Sequence, residues 1–358
     1  MTPRPSILFL DDDHVLRILR LILCDGENDP RVRDFFAPEQ LDLSQLIAAA
    51  KGLRRSDGAA VALASEADGS DDATVLVYRR GEINAKVLAA YPRLKLIQRL
   101  GESADGIDLR AADARGISVS CFPRLTCQLT AEHALLLMLA LAKRLLFADK
   151  ALRGGQYSQP LRPPMDGVSY NWVAVDGPSG LYGKTLGIVG LGEIGSIVAK
   201  LARAFGMTVL YSNRHRVTPQ RETATGAQYK PLHDLLASSD FVSLHATLPG
   251  NDQVASQAFF ATMKRSAFFI NTSRGQLVDE DALYQALISG TIAGAGLDVH
   301  AREPRLAGDR FTALPNVVLT PHIAGGRRTG LLHEFDIIVR NCSSAMRGEA
   351  PRYCVRAS

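Results

Sequence analysis

The chain contains few cysteines, and this argues against disulfide bonds or a zinc site as the source of its stability. Its 358 residues include five cysteines, which is an odd number, and these are widely spaced without a C-x-x-C pair. Such spacing argues against a disulfide framework and against a zinc site. We therefore expect reduced thiols, a cytoplasmic location and no bound metal. The cysteines lie at positions 24, 121, 127, 342 and 354.

A strong charge of either sign and a long hydrophobic run are also missing. The formal net charge at pH 7 is +4, from 41 Lys and Arg against 37 Asp and Glu. This small excess gives no reason to expect a nucleic-acid partner. The apolar run 7–10 is too short for a signal peptide, and the nearest candidate for a membrane span, 134–142, is too short to cross a bilayer. We expect neither nucleic acid nor a membrane as a partner.

The most informative stretch joins a short strand to a helix through three glycines. Residues 185–189 form an apolar, β-branched run that predicts a buried strand. Gly190, Gly192 and Gly195 follow in G-x-G-x-x-G spacing, apolar residues then recur with helical period, and residues 208–211 predict another strand. A bare glycine motif also occurs in ordinary turns. The order strand, glycine turn, helix, strand is the context in which it indicates a dinucleotide-binding unit.

Each glycine has a physical task in such a unit. Gly190 permits the tight turn, Gly192 lets the backbone approach a pyrophosphate, and Gly195 lets the helix pack closely on the strand. Backbone N–H groups near Glu193 and Ile194 then face the phosphates at the positive end of the helix dipole.

Strands and helices alternate along the rest of the chain, which predicts an α/β protein with two doubly wound parallel-sheet domains. Residues 130–147 predict the longest apolar helix, and residues 154–183, which include Trp172, predict a long connecting loop. Asp11, Asp12 and Asp13 follow the first predicted strand, as in a phosphorylated receiver domain. Such a domain would also need a later strand that ends in a phosphoacceptor aspartate, and the run 61–64 ends without one, so we interpret these carboxylates as a polar strand edge and a helix cap.

Polar residues follow the predicted strands of the second half, where ligands of parallel sheets bind. Ala246 and Thr247 follow the strand 241–245, and Thr272, Ser273 and Arg274 follow 267–271. Asp298 and Glu303 follow 292–297, whereas His322 and Gly325 follow 317–319. An arginine, carboxylates and a histidine therefore meet at the edge that holds the dinucleotide.

These residue types suit hydride transfer between a nicotinamide and a 2-hydroxy or 2-oxo acid. An arginine can bind the substrate carboxylate through two parallel hydrogen bonds. A histidine that titrates near neutrality can exchange the hydroxyl proton, and a neighbouring glutamate favours its charged form. Taken singly, Arg274, Glu303 and His322 could each be an ordinary loop or surface residue.

In these motifs the chain resembles the D-isomer-specific 2-hydroxyacid dehydrogenases, which include phosphoglycerate dehydrogenases and glyoxylate/hydroxypyruvate reductases. The resemblance implies that Arg274 is the substrate-binding arginine, that His322 is the acid/base and that Glu303 is its partner. It also implies that Asp298 contacts the nicotinamide end of the cofactor, with Thr272 and Ser273 nearby. The matching stretches are 183–195, 271–275, 297–304 and 320–322, with weaker matches at 106–109 and 130–133.

The resemblance further implies an order of domains. A Rossmann-type cofactor domain, residues 122–321, would be inserted into a flavodoxin-like substrate domain formed by residues 1–121 and 322–358. The active site would lie in the cleft, and members are commonly homodimers whose cofactor domains pair.

Two positions depart from the usual pattern. Asn213 stands where dinucleotide sites usually have an acidic residue on the ribose, and Arg214 follows it. A 2′-phosphate is then not repelled and Arg214 could pair with it, so we expect NADP(H) to be accepted and even preferred over NAD(H). The alternative is an NAD site in which Asn213 bonds the ribose directly. Glu102 is the second departure, because it places an acid in a loop that normally binds the substrate carboxylate.

The full set of expected contacts follows from these observations. A dinucleotide-sensing corepressor on the same fold is the alternative to an enzyme, although no long tail favours it. The residues expected to contact the cofactor are Gly190, Gly192, Glu193, Ile194, Gly195, Asn213, Arg214, Ala246, Thr247, Thr272, Ser273, Arg274, Asp298, His322 and Gly325.

Overall fold

A computed structural model of the chain describes residues 7–24, 28–55, 58–66, 72–155, 171, 175–246, 253–326 and 328–357. Its strands are β1 Ile7–Phe9, β2 Val61–Leu63, β3 Val75–Tyr78, β4 Leu96–Arg99, β5 Ser118–Cys121, β6 Thr185–Val189, β7 Thr208–Ser212, β8 Gln228–Tyr229, β9 Phe241–Leu244, β10 Phe268–Asn271, β11 Gly294–Leu297, β12 Val317–Leu319 and β13 Cys354–Val355. Its helices are α1 His14–Leu23, α2 Pro30–Phe36, α3 Ser44–Arg55, α4 Ala85–Ala89, α5 Leu109–Ala114, α6 Leu125–Ala142, α7 Leu145–Arg153, α8 Glu193–Ala204, α9 Pro219–Thr225, α10 Leu232–Ser238, α11 Gln257–Thr262, α12 Glu280–Ile288 and α13 Thr329–Arg347.

The first compact unit consists of Met1–Thr126 and Gly326–Ser358. Its sheet has the order β13-β5-β4-β3-β1-β2, and the pairs are parallel except that β13 runs antiparallel to β5. The order from β2 to β5 is that of a flavodoxin-like, doubly wound sheet. The predicted α/β fold is therefore confirmed for this unit, with an antiparallel edge strand that the sequence did not indicate.

The second compact unit is Cys127–Gly325. Its parallel sheet has the order β12-β11-β10-β9-β6-β7-β8, which is the Rossmann order with β6 as the first strand. Alternate residues of the strands face opposite sides: Leu186 and Ile188 of β6 pack into one apolar cluster, and Val189 packs into another. Burial on both faces explains why these strands read as continuous apolar runs.

The aspartates at the end of β1 brace the first unit. Asp13 caps α1 by accepting a hydrogen bond from the Val15 N–H, and its carboxylate pairs with Arg79 at 2.8 Å. Asp11 Oδ2 accepts the N–H groups of Arg79 at 2.7 Å and of Arg80 at 3.2 Å. The expected polar edge and helix cap are thus confirmed.

The predicted helix 130–147 is wrong at both ends. α6 begins at Leu125, because the carboxylate of Glu334 accepts a hydrogen bond from the Thr126 N–H at 3.2 Å and satisfies a donor of the first turn. It ends at Ala142, since Arg144 has a left-handed φ of 50° and separates α6 from α7. Of the predicted loop 154–183, residues 156–170 and 172–174, which include Trp172, lie outside the described residues.

Length and composition alone would let α6 cross a membrane, since its mean hydropathy is 1.5 over 18 residues. In the structure 56% of that stretch is buried. A core helix meets the same criteria, so this feature is weak evidence for a membrane span.

Candidate active site

The glycine turn after β6 is shaped by close packing at two of its three glycines. Gly190 has a φ of 105°, and a Cβ there would come within 2.6 Å of the Ala246 backbone nitrogen after β9. A Cβ at Gly195 would overlap the Gly190 carbonyl oxygen. These two glycines are therefore required by the fold itself.

Gly192 differs, because a Cβ at this position would meet no atom of the described residues within 4 Å. Gly192 is also the N-cap of α8 and gives it no side-chain cap. The fold alone thus leaves space beside Gly192 at the positive end of a helix dipole, which fits the approach of a pyrophosphate. A second sign is Thr272, whose Oγ1 is buried without a hydrogen-bond partner in the described part of the chain. Both features fit a bound dinucleotide.

The two arginines in the loop after β7, Arg214 and Arg216, have different surroundings. Asn213 Oδ1 accepts a hydrogen bond from the Leu191 N–H at 2.6 Å and so ties this loop to the glycine turn. Arg216 pairs with Glu222 through two hydrogen bonds of 2.8 and 2.9 Å. The Glu222 carboxylate also accepts a hydrogen bond from the Tyr211 hydroxyl. The bond from Arg216 has the larger effect, and together the two bonds lower the pKa of Glu222 to about 2. Arg214 is exposed and forms no ion pair within the described ranges.

The turn after β10 is organised by a side chain that the sequence did not single out. The buried Asn271 amide accepts the Ser273 N–H and hydroxyl at 3.0 and 2.9 Å and donates to the Arg274 carbonyl at 3.0 Å. An asparagine that folds back over its own turn is a recognisable sequence signal. The Arg274 guanidinium is exposed, donates to the Ser273 carbonyl at 2.6 Å and forms no ion pair within the described residues.

His322 and Glu303 are in direct contact. His322 Nδ1 lies 2.7 Å from Glu303 Oε2, and the other carboxylate oxygen accepts the His300 N–H at 3.0 Å. Desolvation raises the pKa of Glu303, but the hydrogen bonds from His322 and His300 outweigh it, and the net pKa is lowered. A carboxylate that stays ionised beside an imidazole favours the imidazolium form and fixes the orientation of the ring.

Asp298 holds the backbone that carries His322. Its carboxylate has no exposed surface and accepts the Thr320 hydroxyl at 2.6 Å and the N–H groups of Ile323 and Ala324, both at 2.9 Å. The Asp298 carbonyl accepts the His322 N–H at 2.8 Å. His322 has a φ of 55°, a left-handed conformation that costs about 1–2 kcal/mol for a residue with a side chain. These contacts offset that cost, so Asp298 aims the histidine.

The Arg274 turn packs on the same segment as Glu303. A Cβ at Gly275 would overlap the backbone of His300 and Ala301, so this glycine allows the two segments to touch. The structure thus brings Arg274, Glu303 and His322 to the carboxyl ends of the adjacent strands β10, β11 and β12. A cavity of about 750 Å³ flanks the pair, with Glu303 and His322 in its wall beside Pro304, Leu306 and Leu319.

The remaining expected residues are spread along the same edge. Beside them, His133 of α6, which is not one of the expected site residues, contacts Thr320 Oγ1 at 2.9 Å and lies 3.5 Å from Asp298. Ile194 is half-buried and packs against the core, and Gly325 is the last residue of the second unit. Glu193 begins α8, whereas Thr247 lies outside the described residues. The described part of the chain contains no group of three or more His, Cys, Asp or Glu side chains that could hold a metal ion.

Comparison with known proteins identifies the family. A family model described as D-isomer specific 2-hydroxyacid dehydrogenase, NAD binding domain, matches residues 135–324. A glyoxylate reductase of Korarchaeum cryptofilum is 39% identical over 270 residues, which are 75% of this chain and 78% of the relative. The crystal structure of a glyoxylate reductase from Paecilomyes thermophila is 28% identical, covers 99% of each chain and has a TM-score of 0.54.

A further solved structure is that of an acyclic imino acid reductase in complex with NADPH and D-Arg. It is 26% identical, covers 89% of this chain and 97% of its own, and has a TM-score of 0.54. The chain therefore belongs to the D-isomer-specific 2-hydroxyacid dehydrogenase family and is an oxidoreductase that interconverts 2-hydroxy and 2-oxo acids with a nicotinamide cofactor.

Proposed function

We propose that this protein reduces a small 2-oxo acid such as glyoxylate or hydroxypyruvate to the D-2-hydroxy acid. The observation that carries the proposal is the 2.7 Å contact between His322 and Glu303 beside the Arg274 turn. The match to relatives named glyoxylate reductase supports the choice of a short substrate.

The proposed residue roles follow from charge and geometry. Arg274, which forms no ion pair within the described ranges, binds the substrate carboxylate and orients its carbonyl. His322 donates a proton to the carbonyl oxygen during reduction and accepts it during oxidation. Glu303 stabilises the imidazolium form that reduction requires. The nicotinamide, when bound, supplies or accepts the hydride.

Gly190, Gly192, Gly195 and the first turn of α8 would hold the pyrophosphate, and Thr272 would contact the cofactor.

A substrate panel tests this function. Glyoxylate, hydroxypyruvate, pyruvate, 2-ketoisocaproate and phenylpyruvate are each supplied with NADPH and with NADH, and oxidation of the cofactor is followed by absorbance. We expect the highest kcat/KM with glyoxylate or hydroxypyruvate, the two short acids of the panel that carry no apolar side chain. Tight cofactor binding without turnover of any acid would instead support the dinucleotide-sensing alternative.

We also propose a preference for NADP(H). Arg216 is occupied by Glu222, which leaves Arg214 as the exposed cation that follows Asn213. Arg214→Ala should raise the KM for NADPH about 10-fold and leave the KM for NADH nearly unchanged, since a charge-assisted hydrogen bond contributes about 1.5 kcal/mol. Equal effects on both cofactors, or a wild-type enzyme that favours NADH, would contradict this preference.

The partner is proposed to be a second copy of the chain. α7 has no buried residue and exposes Leu145, Leu146, Phe147 and Leu152 by 50, 55, 44 and 50%. Large apolar side chains exposed on one helix support an interface with another chain. The cytoplasmic location, the domain division at residues 121 and 321 and the role of Glu102 stay predictions.

A further inference from the structure

A second histidine lies directly behind the acid–base pair. His300 is 5% exposed, and its backbone N–H donates to Glu303 Oε1 at 3.0 Å. Its ring nitrogen Nε2 lies 3.0 Å from the carbonyl oxygen of Thr320, two residues before His322. One residue therefore holds the carboxylate of the pair with its backbone and the segment before the histidine with its side chain.

The ring of His300 is restricted to one tautomer by Arg305. Arg305 Nε donates to His300 Nδ1 at 3.0 Å, so Nδ1 must carry a lone pair. The carbonyl of Thr320 can only accept, so the proton must be on Nε2. The two contacts agree on a single protonation pattern of the imidazole, and in this pattern both ring nitrogens are satisfied.

Arg305 is itself fixed from several sides. Its side chain is 10% exposed, and it donates to Asp309 Oδ1 at 2.7 Å and to Glu280 Oε1 at 2.5 Å. Its guanidinium carbon lies 4.8 Å from the centre of the Phe311 ring. Glu280 also accepts the Ala301 N–H at 3.1 Å, which anchors the segment after β11 to the first turn of α12.

We propose that Arg305, acting through His300, is a positioning residue that sets the geometry of the Glu303–His322 pair. This inference rests on the proposed acid/base role of His322. Without the guanidinium, Nδ1 loses its donor and the ring is free to take the other tautomer, which cannot donate to the Thr320 carbonyl. The segment before His322 then loses one of its anchors. A displacement of about 1 Å in a reacting group costs roughly 100-fold in rate.

The test compares Arg305→Met with Arg305→Lys and with a matched control, Arg310→Met. Arg310 belongs to the same segment but pairs with Asp281, and its side chain is 40% exposed. We expect Arg305→Met to lower kcat for glyoxylate about 10- to 100-fold, with KM for glyoxylate and Kd for NADPH within about 2-fold. The lysine variant should recover part of kcat, because its ammonium can still donate, and the control should behave like wild type.

Two outcomes would overturn the inference. The first is a folded Arg305→Met enzyme with the kcat of the control. The second is a higher KM for glyoxylate at unchanged kcat, which would make Arg305 a substrate contact from the wall of the cavity. His322→Asn is assayed in parallel: if it stays active, the proposed acid/base has failed, whereas if only Arg305→Met stays active, this inference alone has failed.

A measurement on the wild-type protein covers the case in which the methionine variant does not fold. ¹⁵N-labelled histidine reports which ring nitrogen carries the proton, and His300→Gln assigns the signal. We expect His300 to show an unprotonated Nδ1 and a protonated Nε2. The opposite tautomer, or a mixture of the two, would contradict the proposal.

Discussion

At the scale of single residues, the site depends on how its side chains are held as much as on which residues they are. His322 has a left-handed backbone conformation, and the Asp298 carboxylate accepts a hydrogen bond from the N–H of the next residue, Ile323. The His322 ring forms a hydrogen bond with Glu303. The motif could predict the histidine and the glutamate. It could not predict Arg305, because nothing in the local sequence distinguishes this arginine, whose side chain is 10% exposed, from Arg310 five residues later, whose side chain is 40% exposed.

Glu303→Gln tests the electrostatic part of this arrangement. Reduction needs a charged His322, and the Glu303 carboxylate, whose pKa is lowered by this pair, favours the imidazolium. Removing the charge should therefore lower kcat/KM for the 2-oxo acid about 10-fold, because a charge-assisted hydrogen bond contributes about 1.5 kcal/mol. The measurement is kcat/KM for the 2-oxo acid with saturating NADPH. A value at the wild-type level would show that the Glu303 carboxylate does not assist His322.

At the scale of elements, the strands and glycine turn of the second unit follow from their sequence, whereas several helix ends depend on distant partners. β6 and α8 lie where the apolar runs and the glycines predict them. The start of α6 depends on Glu334, more than two hundred residues away in sequence. A local pattern contains no information about such a cap.

A buried amide connects three elements of the first unit and gives a stability prediction. Asn341 on α13 donates to Gln98 Oε1 at 2.8 Å and to Ser120 Oγ at 3.0 Å, and it accepts the Arg352 N–H at 2.8 Å. Asn341→Ala would leave the buried Gln98 Oε1 without this donor and the Arg352 N–H without this acceptor, so we expect a loss of about 2–4 kcal/mol in the free energy of unfolding.

Urea unfolding followed by circular dichroism measures this loss. Arg340→Ala is the control, since Arg340 is exposed on the same helix and, among the described residues, pairs with Asp336 at the surface. Its effect should stay within about 0.5 kcal/mol. Equal midpoints for the two variants would mean that the Asn341 network does not stabilise this unit.

At the scale of the whole molecule, the chain forms two α/β units of different strand order, and in the second unit the chemistry-bearing residues follow the carboxyl ends of strands. This rule predicts from the sequence that Arg274, Glu303 and His322 lie at one edge of that sheet. The ion pair between Arg216 and Glu222, which leaves Arg214 as the exposed arginine, could not be predicted in this way. It depends on α9, which carries Glu222 and which the sequence pattern does not predict.

The exposed apolar side chains of α7 lead to a prediction about assembly. We expect the wild-type protein to sediment as a dimer, and Leu146→Glu to sediment as a monomer, because a charge in an apolar interface is costly. Ile288→Glu is the control, since Ile288 is equally exposed at 52% but lies at the end of α12. A wild-type monomer, or a Leu146→Glu variant that stays dimeric, would contradict the proposed homodimer.

The central claim is that His322 exchanges the proton of the reaction, and His322→Asn tests it most directly. Turnover of the best 2-oxo acid is measured with saturating NADPH, and the Kd for NADPH is measured by fluorescence on the same samples. A general acid contributes about 10²- to 10⁴-fold, so kcat should fall by that amount. The Kd should change by less than about 3-fold. A variant that retains wild-type kcat, or one that loses NADPH binding together with activity, would contradict the assignment.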